Sequence, residues 1–238
     1  MCKPTNFLFD LYGTLLDIRT DEEKSVLWAD LAHALGRDAA DGPALRAEYL
    51  ALCRAGCGGE ETEFDLTAVF GELLARNGRN PTDALALARR FRLASREYLT
   101  VFPCVKECLA ELRACGAGVY LLSNAQTCFT LGELEESGLA PFFDGILISS
   151  EAGVKKPSPK IFEVAFERFS VKAENSIYVG NDLRDDVLGA HRVGMRTVYV
   201  PTAQSRDYGD LPLPAPTFAV KDHTELKTLL LALAAGQA

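Results

Sequence analysis

A chain of 238 residues with 48% apolar and 24% charged residues is long enough to bury a sizeable core and has the composition of an ordinary globular protein. A formal charge of −8 and a pI near 5.0 exclude a nucleic-acid surface, which needs clustered Lys and Arg, yet leave room for a small anionic substrate at one positive site. No apolar run approaches the length of a membrane span and the opening MCKPTNF lacks the core of a signal peptide, so a cytoplasmic protein with no membrane partner is expected. The seven cysteines are an odd number in a chain too large to depend on staples, which points to reduced thiols. Cys53 with Cys57 and Cys104 with Cys108 share helical faces, but no histidine lies near either pair, so packed or exposed free thiols are expected rather than zinc ligands.

Taken in order, the first element is the run Phe7, Leu8, Phe9, continuously apolar as in a parallel strand covered on both faces. It ends at Asp10, and Gly13 and Thr14 follow in a turn. A carboxylate at the carboxyl end of a strand in an open α/β sheet lies where such folds place ligands. Asp10 is thereby a candidate nucleophile or metal ligand, although an Asp also commonly caps a turn, and the stretch alone leaves both open.

Four helices are predicted next: from Thr20 or Asp21 to Gly36, from Gly42 to Arg54, from Leu66 to Asn77, and from Pro81 towards Tyr98. No strand pattern is visible between Asp17 and Tyr98, so residues 17–97 read as a helical block inserted between two α/β stretches. Its place beside the end of the first strand predicts a lid over Asp10.

From Phe102 the texture alternates. A helix through Arg113 precedes the strand VYLLSNA, and a helix to Ser137 precedes GILIS. After Lys155, Lys156 and Pro157 a helix runs to Phe169 before the strand SIYVGND. A helix from near Asp185 to Gly194 leads to RTVYV, a Pro-rich loop, a short strand near Thr217 to Val220 and a last helix near Leu226 to Ala234. Strands alternating with helices indicate a Rossmann-like, doubly wound parallel sheet of class α/β, formed by residues 1–16 and 98–238.

Four strand ends deliver polar groups: Asp10; Ser123 with Asn124; Lys156; and Asn181, Asp182, Asp185 and Asp186. Carboxylates from two strands beside one lysine suit phosphoryl or similar group transfer. A carboxylate nucleophile splits one hard step into two, Mg²⁺ takes oxygen ligands, and Lys156 with donors at Ser123 neutralises developing charge.

DLYGTLLD, LLSNA, VKKPSPKIF and VGNDLRDDVLGAHRVGM resemble, in order and spacing, the four signature motifs of the haloacid dehalogenase-like hydrolase superfamily, and the helical insertion resembles the cap of its first subclass. The resemblance implies Asp10 as nucleophile, Ser123 contacting the transferred group with Asn124 beside it, Lys156 stabilising nucleophile and anion, and Thr14 closing the first turn. It also implies Mg²⁺ at Asp10, the Tyr12 carbonyl and the acidic fourth motif, here Asn181, Asp182 and Asp186. The expected activity is a phosphatase acting on a small phosphorylated metabolite.

Two departures bear on the reaction. Tyr12 stands where phosphatases carry an aspartate acting as general acid and base, and resembles the 2-haloacid dehalogenases, which attack carbon without a metal. A phenol with a pKa near 10 is a poor proton shuttle at neutral pH, so a phosphatase with Tyr12 is expected to be slow or to rely on water. The acidic fourth motif instead resembles the phosphatases, although Asn181 replaces their first aspartate. Phe162 stands where dehalogenases resemble one another in having tyrosine, and their halide-binding arginine has only a loose counterpart in Arg46. A metal-dependent phosphatase is therefore favoured, with a dehalogenase as alternative and a catalytically weakened scaffold as a third reading. Within the insertion, Arg46 and Tyr49 are the candidates for contacting substrate.

Overall fold

The structure is a computed structural model and describes residues 5–237; the opening MCKP, Cys2 included, lies outside the described residues. In chain order the elements are β1 (Asn6–Phe9), β2 (Leu16–Thr20), α1 (Ser25–Ala34), α2 (Gly42–Gly56), α3 (Leu66–Arg76), α4 (Ala84–Ser95), β3 (Arg96–Val101), α5 (Val105–Ala114), β4 (Gly118–Ser123), α6 (Thr127–Ser137), β5 (Gly145–Ile148), α7 (Ser149–Ala152), α8 (Pro159–Phe169), β6 (Ser176–Gly180), α9 (Gly189–Arg192), β7 (Arg196–Tyr199), β8 (Phe218–Ala219) and α10 (His223–Ala234). Six strands form one sheet in the order β5-β4-β1-β6-β7-β8, with every pairing parallel.

β1 lies between β4 and β6, which explains its unbroken apolar run. Side chains alternate across the sheet. Phe7 and Phe9 join Val119, Leu121, Ile177 and Val179 in the core under α5 and α10, while Leu8 joins Leu122, Leu147 and Tyr178 under α8. Each fully buried Leu or Phe on these faces contributes roughly 1.5–3 kcal/mol of hydrophobic free energy. The parallel register, Phe9 opposite Leu121 and Val179, places the carboxyl ends of β1, β4 and β6 side by side.

Helices α1 to α4 have a core of their own around Trp28, Tyr49, Phe70 and Phe91, and Cys128 and Phe129 of α6 belong to that same cluster. The Phe91 and Phe129 rings stack at 6.1 Å, so the inserted block is keyed onto the parallel-sheet region through α6.

Two sequence expectations are corrected. Strands do occur at the ends of the insertion: β2 and β3 pair antiparallel, Leu16 with Val101 through Thr20 with Arg96. Both are short and mostly half exposed, so neither shows the alternation of a half-buried strand, and Arg96 follows directly on α4. The helix expected from Asp185 begins instead as a wide π turn over Leu183–Leu188 before α9. Among the described residues no helix is long and apolar enough to cross a membrane, and the six described cysteines are free.

Candidate active site

The ends of β1, β4 and β6 and the loop before α8 converge on Asp10. Lys156 is buried, and its three ammonium protons have three acceptors: Asp10 Oδ1 at 2.8 Å, Asp186 Oδ1 at 2.7 Å and the Tyr178 hydroxyl at 2.7 Å. The Tyr178 hydroxyl in turn donates to the Leu122 carbonyl at 2.7 Å. Asn124 fixes the lysine's backbone from both sides, its amide accepting from Lys156 N at 2.8 Å and donating to Lys156 O at 2.9 Å. Ser123 completes the set by donating to Asp10 Oδ1 at 3.1 Å.

Two glycines permit this crowding. Gly13 has φ +81°, and a Cβ there would stand 2.3 Å from the Asn181 amide nitrogen. A Cβ on Gly180 would stand 2.3 Å from the Asp186 carboxylate. Both let the first and fourth motifs pack backbone against side chain.

Burial opposes the charge on Lys156, but Asp10 and Asp186 outweigh it and hold the ammonium well above its usual range. Burial pushes the Asp186 carboxyl up; Lys156 pulls it back and Asp10 pushes it up again. Two carboxylates around one buried ammonium leave this nest short of positive charge.

The fourth-motif acids have separate tasks. Asp182 caps the π turn by accepting from Arg184 N at 2.9 Å and Asp185 N at 2.7 Å, and both its oxygens also lie 2.8 Å from the Tyr208 hydroxyl. Asp186 accepts from Asp182 N at 2.9 Å besides Lys156. Asp185 is half buried, with only long contacts to Asn124 at 3.4 Å and Arg206 at 3.5 Å. Burial and the charge of Asp182 raise its carboxyl.

Asp10 Oδ2 and Asn181 Oδ1 lie 3.3 and 3.2 Å from the same donor, the Thr14 hydroxyl. One hydroxyl has one proton, so one of these oxygens lacks a donor at any moment. Both border a cavity of about 220 Å³ lined also by Tyr12, Asn124, Lys156, Asp182, Asp185, Asp186, Gln204 and Arg206. Under-donated oxygens in an acidic cavity fit a hard cation that prefers oxygen ligands. Among the described residues no cluster of three or more His, Cys, Asp or Glu has the spacing of a metal cage, so such an ion would lean on amide and main-chain oxygens as well as carboxylates.

Tyr12 borders the cavity, but its hydroxyl meets Glu133, in a very short contact, and Thr130 at 3.0 Å, both on α6. Arg92 of α4 grips Glu133 with Nε at 2.7 Å and lies 5.6 Å from the Tyr12 ring centre. Burial first, then the charge of Glu133, drives the phenol far above its ordinary value.

The structure thus brings together Asp10, Thr14, Ser123, Asn124, Lys156, Asn181, Asp182 and Asp186, and commits the Tyr12 hydroxyl elsewhere. It does not bring Arg46 or Tyr49 to the cavity. Arg46 pairs with Glu23 at 2.9 Å, and Tyr49 is packed between Trp28, Phe70 and Phe91. Sequence reasoning missed Tyr178, Gln204, Arg206 and Tyr208. Tyr178 carried a faint signal, a polar-tipped residue inside a buried strand just before the fourth motif. The other three come from an aperiodic loop.

The haloacid dehalogenase-like hydrolase family matches residues 5–194, and the chain belongs to that family of hydrolases. It is 33% identical over 144 residues to the ribulose-1,5-bisphosphate 5-phosphatase of Halopiger xanaduensis, a match covering 60% of each chain. Matches to the first curated relatives span between 53% and 60% of those proteins' lengths. In fold it resembles a HAD phosphatase from Thermococcus onnurineus (TM-score 0.61, 22% identity, covering 95% of this chain and 97% of the other). It also resembles a 2-haloacid dehalogenase from Pseudomonas syringae pv. Tomato DC3000 (TM-score 0.63, 22% identity, covering 97% and 100%).

Proposed function

We propose that the protein is a Mg²⁺-dependent phosphatase that cleaves a small phosphorylated metabolite through an aspartyl-phosphate on Asp10. The carrying observation is the Asp10 carboxylate at the edge of an acidic cavity, one oxygen held by Lys156 and Ser123 and the other sharing a single donor with Asn181. Curated relatives named as phosphatases of ribulose bisphosphate, phosphoserine and glyceraldehyde 3-phosphate support the same class. Residues 17–97 form the cap and residues 1–16 with 98–238 the core in this reading. The free cysteines accord with a cytoplasmic setting.

Asp10 attacks the ester phosphorus, an Asp10–phosphorus bond forms, and the bond from phosphorus to the alcohol oxygen breaks with its electron pair leaving on that oxygen. Ser123 and Lys156 lie where they donate to the reacting carboxylate and to the transferred group. The Tyr12 phenol is held to Glu133 and cannot act as the proton donor at neutral pH, so water protonates the leaving alcohol. A second water then attacks the aspartyl-phosphate, releasing inorganic phosphate and restoring the Asp10 carboxylate. Asp10, Asn181, the Tyr12 carbonyl and Asp185 would hold Mg²⁺, since Asp182 and Asp186 already have strong donors. When bound, it draws charge from the phosphoryl oxygens.

The test is hydrolysis of an aryl phosphate and of a short 2-haloacid, each with Mg²⁺ and with EDTA. Aryl phosphate turnover that EDTA removes, and that Asp10→Asn lowers by at least about a thousandfold, supports the reading. Turnover of the haloacid alone, indifferent to EDTA, replaces it with a dehalogenase. No turnover of either substrate favours the scaffold.

A further inference from the structure

A second cavity of about 280 Å³ adjoins the first in the cleft between the inserted helices and the sheet region. Asn124, Lys156, Asp185 and Arg206 line both, so the two spaces lie side by side. The remaining wall comes from Glu60 and Glu63 between α2 and α3, Lys155 and Pro157 before α8, and Arg184 in the π turn.

Three cations here keep hydrogen-bonding capacity, in contrast to the saturated Lys156. Lys155 is half buried, and its ammonium has no ion-pair partner among the described residues. Arg206 reaches Asp185 only at 3.5 Å and Asp182 only at 3.8 Å, with its side chain 64% exposed. Arg184 pairs with Glu60, whose side chain is 74% exposed; such a pair is worth little and opens readily. Glu60, Glu63 and Asp185 also line this wall; Glu60 is held by Arg184, and Asp185 is the carboxylate assigned above to the cation. Glu63 is turned to neutral donors, accepting from Ser149 at 3.0 Å, Gln126 at 3.3 Å and its neighbour's amide at 3.2 Å. A half-buried, unpaired ammonium beside two guanidinium groups with free N–H donors is the chemistry that recognises a carboxylate or phosphate.

Resting on the phosphatase reading, we infer that this second cavity binds a second anionic group of the substrate, on the leaving-group side. Preferred substrates are then phosphomonoesters with an anion at each end. The reacting phosphoryl group lies at Asp10 and the other anion lies among Lys155, Arg184 and Arg206. Arg206 and Lys155 are specificity residues in this scheme and touch no reacting atom.

The experiment compares three esters with matched leaving groups: phenyl phosphate, and the same ester carrying a para-carboxyethyl or a para-phosphonoethyl arm. The wild-type enzyme should show kcat/KM at least about tenfold higher for an ester with an anionic arm. Whichever arm is favoured identifies the second anion. Lys155→Gln, Arg206→Gln and their double variant should shrink that preference about tenfold, mainly through KM, and Lys155→Arg should restore it. A ratio between substrates on one enzyme is insensitive to lost folded protein, and the single variants serve if the double one does not fold. Equal kcat/KM on all three esters, or a preference undiminished in the variants, overturns the inference and leaves the phosphatase reading intact. Failure to hydrolyse any of the three overturns both.

Discussion

Two buried nests leave the turn after β1 in different directions, and they are built from the same parts. Around Asp10, a lysine is shared between Asp10, Asp186 and the Tyr178 hydroxyl. Around Tyr12, a glutamate is shared between Arg92, Arg96 and the Tyr12 hydroxyl. The first has two acids to one base and borders a cavity. The second sets Arg92 and Arg96 against Glu133 and, for Arg96, Glu136 at 2.7 Å, and these residues line a pocket of about 230 Å³ beside α4 and α6. A buried cation, a carboxylate and a tyrosine therefore do not by themselves make a catalytic centre. What separates the nests is that the first presents an under-donated carboxylate oxygen of Asp10 to its cavity, whereas in the second Glu133 is engaged by Arg92, Arg96 and the Tyr12 hydroxyl.

The sharpest way to break the comparison is to remove the central ion of each nest. Lys156→Ala leaves Asp10 and Asp186 facing each other without a counter-charge. Phosphatase kcat/KM should fall by about a thousandfold and unfolding free energy by about 3 kcal/mol, measured by kinetics and urea denaturation. Glu133→Gln strips the second nest of its carboxylate and should cost about 2 kcal/mol of stability, while kcat per folded molecule falls no more than severalfold. A kcat loss as deep as that of Lys156→Ala would make the second nest catalytic after all.

Smaller changes test the same contrast. Tyr12→Phe removes a hydroxyl that only bonds α6, so stability should drop by about 1 kcal/mol and kcat by less than about threefold. A hundredfold loss in kcat at unchanged KM would return the phenol to the role of proton donor. The smallest effect expected is one of pH. His223 binds the Thr14 carbonyl at 2.8 Å, and burial depresses its pKa below the ordinary 6.5. The unfolded chain then binds the proton more tightly. The stability contributed by neutral His223 is present above pH about 6.5 and is lost as pH falls through the depressed value. Thermal unfolding from pH 7.5 down to 5.5 should show a decline that His223→Gln reduces.

Much of this is legible in the amino-acid sequence alone. Phe7 to Phe9, VYLLSNA, GILIS and SIYVGND reveal buried parallel strands because burial on both faces demands unbroken apolar runs, and polar residues ending such runs must gather at one edge of the sheet. Asp10 and Ser123 follow from that rule, whereas Lys156, in the loop before α8, is marked by the resemblance of VKKPSPKIF to the family's lysine motif. Individual tasks within the acidic motif do not follow, because Asp182, Asp185 and Asp186 differ only in which donors the π turn presents to them. Tyr12 was legible as a departure but not as a tether, since its partner Glu133 lies 121 positions away on an ordinary amphipathic helix. Arg46 and Tyr49 illustrate the converse. Helical spacing told which residues share a face, not whether that face looks at Asp10 or at Trp28.

The small ribbon of β2 and β3 has a consequence for how this chain could have been assembled. The polypeptide leaves the sheet region along one strand and returns along its immediate neighbour, so departure and return lie only about 5 Å apart, the ordinary spacing of paired strands. Topologically, all of α1 to α4 is the loop of one hairpin. Such a junction accepts segments of many lengths without rerouting the elements on either side of it. The inserted helices are accordingly joined to the sheet region through one narrow seam, so a change in their length leaves Asp10 where β1 put it.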